Sequence, residues 1–311
     1  MHRRITLQGD AGAIANLARE LAPLEGIIAL AHHPGASIVP AGDVLELDVL
    51  NLAADEVLRR ARPGVDDGRH PLTVAISQTT AVIDPRRRTL IAHDADESLW
   101  EEMEADLRNH GRVSVNYVVL MALGGIIAAV AFALEPVSQA IALVGSAIIA
   151  PGFEPVAKLA QGLVLAEAKI CARAVLSLLV GYAVLLAAAF LVTAALGLFD
   201  GGHTRATLRA EPVVAALTGL EPAPLMASAC AAAAGILMIV SLRDLYVVGP
   251  LMVLVLIAGV ALVGAALATG QGTLALGALR RLGADLALVL LAGIVIFFWK
   301  QRRFHRRRPL A

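Results

Sequence analysis

The chain has 311 residues, is 58% hydrophobic and only 17% charged, and carries 26 basic and 26 acidic residues. Soluble domains run at about 45–50% apolar and about 25% charged, so this composition excludes an ordinary soluble protein. The even charge balance argues against a nucleic-acid partner, and two cysteines, Cys171 and Cys230, cannot build a disulfide framework.

The balance is a cancellation. Residues 1–112 hold 12 arginines against 18 acidic groups, a net −6, whereas residues 113–311 hold 14 basic against 8 acidic groups, a net +6. The first part has no long apolar run and the second is made of little else. The expected division is a soluble module over 1–95, a linker helix over 96–112, a membrane domain over 113–300 and a basic tail over 301–311.

In chain order, residues 4–8 alternate polar and apolar and read as a strand ending at Gly9. Asp10 can cap a helix whose apolar positions Ile14, Leu17 and Leu21 recur at helical spacing, stopped by Pro23. Residues 27–30 and 44–49 read as strands, with turn chemistry at His33-Pro34-Gly35-Ala36 between them. Asn51 opens a second helix that Pro63-Gly64 ends, and residues 72–76 form a last strand. The order βαββαβ is that of a ferredoxin-like unit. The opening residues are too polar for a secretory leader, so the module is expected in the cytosol. His32-His33 lacks further ligands at metal spacing and reads as a solvated strand end. Arg86-Arg87-Arg88 suits either a solvated loop or anionic headgroups. Glu101 and Glu102 are expected to face water from the linker helix.

Five stretches then approach the roughly 20 apolar residues a spanning helix needs: 113–134, 174–198, 224–242, 245–268 and, marginally because of Asp285, 282–299. A sixth, 137–166, is interrupted by Pro151-Gly152-Phe153-Glu154-Pro155, which removes helical hydrogen bonds in mid-segment. It either crosses or turns back. The positive-inside rule puts the tail (Lys300, Arg302, Arg303, Arg306, Arg307, Arg308) in the cytoplasm with the module, so both ends lie inside and the number of passes is even. The broken segment therefore crosses. Lys169, Arg173 and Arg243 agree with that orientation; Arg205, Arg209, Arg280 and Arg281 do not. Six passes divide into three plus three, with interruptions at Pro151–Pro155 and at Gly249-Pro250, as in inverted-repeat transporters.

Four Glu-Pro pairs occur, and three of them (Glu135-Pro136, Glu211-Pro212 and Glu221-Pro222) suit helix starts. The fourth, Glu154-Pro155, lies inside the broken segment, with Lys158 four residues on. Arg281 and Asp285 are spaced for a second ion pair that anchors the last pass. Arg209 and Glu211 suit a gate or a helix cap. Tyr117, Tyr246 and Trp299 read as an aromatic belt.

The run Gly145-Ser146-Ala147-Ile148-Ile149-Ala150-Pro151-Gly152-Phe153-Glu154-Pro155 resembles the proline signature of an uncharacterised hydrophobic family, domain of unknown function 389. Gly145, Pro151, Pro155, Gly162 and Leu163 fit its pattern, Arg209 and Pro212 look like its Arg-Thr-x-Pro element, and Gly249-Pro250 resembles its Pro-Pro element. The resemblance runs over nearly the whole chain. Glu154 and Lys158 depart from it, standing where the family usually has Gly; Arg280-Arg281 replaces apolar residues, and Asp285 stands near a usual Asn.

The expected protein is an α+β module followed by an all-α polytopic bundle in the cytoplasmic (inner) membrane, with both termini inside. The leading expectation is a transporter or channel-like protein for a small solute or ion, its pathway lined by Gly145, Ser146, Pro151, Gly152, Glu154, Pro155, Lys158, Gly249 and Pro250. Its module would regulate it or join copies into a homo-oligomer. The rival is a membrane sensor or scaffold whose module binds a ligand or partner. No catalytic motif, metal set or cofactor signature appears, so an enzyme is not expected.

Overall fold

The computed structural model describes residues 2–68, 71–79, 81–94, 97–199, 208, 212–241 and 249–303, apart from the side chains of 110 and 249–254. Arg205, Arg209, Glu211, Arg243, Tyr246 and the tail from Phe304 lie outside the described residues. The chain divides into two compact units. One runs to Met103 and takes in the end of the last helix from Lys300; the other is Glu104–Trp299.

The first unit is built on β1 (His2–Gly9), α1 (Ala11–Leu21), β2 (Ile27–Ile38), β3 (Ala41–Leu50), α2 (Asn51–Val65) and β4 (Thr73–Thr79). The four strands form one antiparallel sheet in the order β2-β3-β1-β4. Alternation decides the faces: Ile5 and Leu7 of β1 and Leu45, Leu47 and Val49 of β3 point to one side and are buried with Ile14, Leu21, Val57 and Leu58 of the helices. Asp10 caps α1 as the sequence implies, its carboxylate accepting from the Ala13 N–H at 3.0 Å.

The expected turn at residues 33–36 is not a turn. β2 continues to Ile38 and the chain reverses at Val39-Pro40, while the Pro34-Gly35 irregularity becomes a register shift between His33 and Ser37. Asp43 stabilises that shift, accepting from the Gly35 N–H at 2.8 Å and contacting His32 Nε2 at 2.7 Å. These contacts hold its carboxyl below the usual range. Proline and glycine mark a bulge as readily as a turn, and here side-chain pairing selects the bulge.

After a short helix α3 (Arg88–Ala92), the linker forms α4 (Trp100–His110). Glu102 turns mostly inward rather than to water, with a small part of its side chain still exposed. It pairs with Arg3 Nε at 2.9 Å, and Arg3 is fully buried. Burial pushes the Glu102 carboxyl up, and the Arg3 guanidinium pulls against that rise. His2 Nδ1 meets Asp94 at 3.1 Å, the Asn51 N–H donates to the same carboxylate, and Lys300 pairs with Glu97.

The second unit carries the rest of α4 and the apolar helices: α5 (Val115–Ala131), α6 (Pro136–Ile149), α7 (Glu154–Leu165), α8 (Ala168–Phe199), α9 (Pro212–Ala216), α10 (Pro222–Val240), α11 (Gly249–Ala268) and α12 (Gly272–Arg303). Glu135 and Glu221 stand at N-caps with proline opening the helix, as the Glu-Pro pairs imply. Among the described residues three helices, α8, α10 and α12, are long and apolar enough to cross a membrane, and α6 with α7 makes a fourth if the bent pair is one span. α5 and residues 255–268 of α11 are apolar but shorter. The chain thus reads as a membrane protein, with three to four such spans among the described residues by length and composition.

Small residues set the helix contacts. Gly124 of α5 lies against Ala150, Gly125 against the Leu185 backbone of α8, and Gly264 of α11 against that of Leu186; a side chain at any of these would collide. Tyr117, expected in an interfacial belt, is instead buried, its hydroxyl donating to the Ser177 carbonyl at 2.8 Å. A phenol inside apolar helices requires such an acceptor.

Candidate functional site

The break in the second apolar segment is four residues, Ala150 to Phe153, joining α6 and α7 at a bend of 45°. Unwound backbone survives in an apolar medium only where protein or water covers it. Here protein does. Phe153 packs on Gly235 of α10, Gly152 faces Ile257 of α11 and Tyr182 of α8, and Ala150 meets Gly124 of α5. The Tyr182 hydroxyl donates to the Gly152 carbonyl at 3.0 Å, and the Gly152 N–H donates to the Ala150 carbonyl at 2.8 Å. The freed polar groups of this peptide are therefore satisfied within the fold.

Of the residues expected to line a pathway, Pro151, Gly152, Glu154 and Pro155 meet at this break. Ser146 is buried one turn before it, with its hydroxyl donating to the Leu143 carbonyl at 2.7 Å. Gly145 stands on a different side of α6, where an added Cβ would meet open space. Gly249 and Pro250 are the first described residues of α11. Arg209 and Glu211, expected at a gate, are outside the described residues.

α7 carries the polar residues onward. Glu154, Lys158 and Gln161 recur at i, i+4 and i+7 and so share one helical face. The expected Glu154–Lys158 ion pair is not formed. Glu154 lies within electrostatic range of the Tyr117 and Tyr182 hydroxyls. Lys158 is 4% exposed, and the charges acting on it are Arg173 of α8 and Glu104 and Arg108 of α4. Gln161 is fully buried, and neither its Nε2 nor its Oε1 has a hydrogen-bond partner among the described residues. Gln161 was not among the expected site residues, although its spacing from Lys158 signals it.

Arg281 and Asp285 do pair, Nε to Oδ2 at 2.9 Å, and both are buried. α12 begins nine residues before Arg281, so the guanidinium lies more than two turns into the helix and, being buried, must find acceptors in protein. It donates to the carbonyls of Gly219 and Pro224, each at 3.2 Å, and to Ser228 Oγ of α10 at 2.8 Å. Asp285 is fully buried, and its Oδ1 has no partner among the described residues. A cleft of about 200 Å³ lies beside this clamp, lined by Pro212, Ala215, Ala216, Gly219, Glu221 and Pro224. No group of three or more metal-ligating side chains occurs among the described residues.

The proline-broken segment followed by this run of apolar helices is what the comparisons recognise. Residues 147–291 match the family model described as Domain of unknown function (DUF389). The DUF389 stretch is a little under half of the chain. It starts inside α6 and ends inside α12, taking in the break, Lys158, Gln161 and the Arg281 clamp. Residues 1–146 lie outside it, so the match is narrower than the resemblance read over nearly the whole chain. No curated protein and no solved structure matches the chain.

Proposed function

We propose that this DUF389-containing chain is a transporter or channel-like protein whose pathway runs at the α6–α7 break and along the polar face of α7. One observation carries the reading: unwound backbone inside a bundle of apolar helices continues through the half-buried Glu154 into a face on which Lys158 and Gln161 are buried. Intramembrane ionisable groups at a helix break are the usual mark of a solute or ion route. Six passes are proposed, with α5 and α11 as the shorter ones, in the cytoplasmic membrane with both termini inside. Lys300 at the end of α12 pairs with Glu97 of the N-terminal unit, which supports placing both chain ends on one side. We read that unit as a ferredoxin-like module, a reading that its antiparallel sheet order β2-β3-β1-β4 supports, and propose that it regulates the bundle or joins copies of it. No enzymatic role is proposed.

The test is flux in proteoliposomes, read by swelling with permeant solutes and by a proton-sensitive dye. Flux that falls in Glu154→Gln together with Lys158→Met supports the pathway; intact flux in that variant removes these residues from it. Absence of any flux sinks the transport reading. The alternative is then a sensor or scaffold, favoured by the ion-paired cluster of Arg3, Glu97, Glu102 and Lys300 in the N-terminal unit. Introduced cysteines at positions 2 and 303, in a chain lacking Cys171 and Cys230, must label from the same side.

A further inference from the structure

We propose that Lys158 and Gln161 form an oxyanion site, and that the ligand is an oxyanion retaining one proton, of the hydrogen-phosphate type. The inference rests on the transport reading and adds the substrate class to it. Three features of α7 and its surroundings carry it.

The first is a charge imbalance. Lys158 is buried, and the groups acting on it are two exposed guanidiniums, Arg108 and Arg173, against one half-buried carboxylate, Glu104, with which it forms no ion pair. A buried ammonium without a counter-charge is costly, and the described residues do not supply one at ion-pair distance. An anion does. The second feature is Gln161, one turn further along the same face and fully buried with both amide atoms unpartnered among the described residues. Such a group needs an explanation, and a bound ligand is one. The third is access. Arg108 and Arg173 are exposed cations beside a buried one, an arrangement that concentrates anions from solution.

The amide narrows the ligand. Gln161 offers a donor at Nε2 and an acceptor at Oε1. A halide accepts from Lys158 and Nε2 but leaves Oε1 unpaired. A fully deprotonated oxyanion does the same. An oxyanion with one remaining O–H accepts from both donors and donates to Oε1. Inorganic phosphate at neutral pH has this form, and so does a phosphate monoester headgroup in a lipid.

Thermal unfolding of the full chain in phosphatidylcholine nanodiscs tests the inference, with sodium phosphate titrated against sodium chloride at matched ionic strength. Phosphate is expected to raise the Tm with a midpoint that chloride does not reproduce. Lys158→Met and Gln161→Leu are each expected to weaken that midpoint by about tenfold or more, since each removes a hydrogen bond to a charged ligand. Lys158→Met removes a lone buried charge, so its fold is expected to survive and its Tm without ligand to rise. A second arm adds phosphatidic acid to the nanodiscs. A Lys158-dependent shift from that lipid but none from free phosphate assigns the headgroup as the source. Equal shifts in wild type and Lys158→Met, chloride as effective as phosphate, or no shift from either source overturns the inference. Binding without flux overturns the transport reading and leaves the site; flux without Lys158-dependent binding does the reverse.

Discussion

The two units treat buried charge differently. In the N-terminal unit Arg3 faces Glu102, His2 faces Asp94, Asp43 faces His32 and Lys300 faces Glu97, so each buried charge has a partner of opposite sign or a histidine. In the membrane unit Arg281 and Asp285 follow the same rule, yet Lys158 does not. Burying an ion costs several kcal/mol after relaxation, and a fold offsets that by pairing. Pairing is therefore the signature of a structural role. Lys158, left without an ion pair among the described residues, departs from that signature.

Four substitutions break or sharpen that contrast. The largest effect is expected from Arg281→Met, which strands the Asp285 carboxylate and frees the carbonyls of Gly219 and Pro224. Unfolding in detergent should show a loss of about 3–5 kcal/mol, and Arg281→Met with Asp285→Leu should recover most of it. Next comes Arg3→Met, which leaves Glu102 buried beside no cation. Because Glu102 retains some contact with solvent, the expected cost is about 2–3 kcal/mol. Lys158→Met should have the opposite sign, a gain of about 1–3 kcal/mol in the absence of anion. A loss there would place Lys158 with the structural pairs.

The smallest effect belongs to the surface of α2, where Arg59 and Arg60 hold the Glu56 carboxyl down to about 2. A carboxyl lowered by folding stabilises above its unfolded pKa, near 4.5, and that stability is lost as pH falls towards 2. These groups are partly exposed and screened by solvent, so Glu56→Gln should cost less than about 1 kcal/mol at pH 7. The difference from wild type should close as the pH is lowered through that window, as thermal unfolding from pH 7 to 3 would record.

Local features were legible in the sequence because their causes are local. The Asp10 cap, the alternation of β1 and β3, the Glu-Pro helix starts at Pro136 and Pro222, and the break at Pro151–Pro155 each follow from residues within one or two turns. Asp285 was legible as a partner of Arg281 from its spacing, but the carbonyls of Gly219 and Pro224 were not: they lie 62 and 57 residues away, and no side-chain type marks a carbonyl. Glu97 and Lys300 stand 203 residues apart, a distance over which periodicity says nothing. Length counting also misjudged α12, since the apolar run starts well after the helix does. Gln161 was readable from its spacing alone, but a neutral amide draws less notice than a charge.

The Tyr182 hydroxyl on the Gly152 carbonyl makes the bend between α6 and α7 a property of α8 as well as of its own prolines. Straightening the segment would strip that carbonyl of its donor inside an apolar bundle, at about 1–3 kcal/mol, and would leave the phenol needing a new acceptor. Tyr182 thus ties the angle of a short, irregular joint to the position of a long, regular helix: any shift of α8 that withdraws the phenol incurs that same cost at the break.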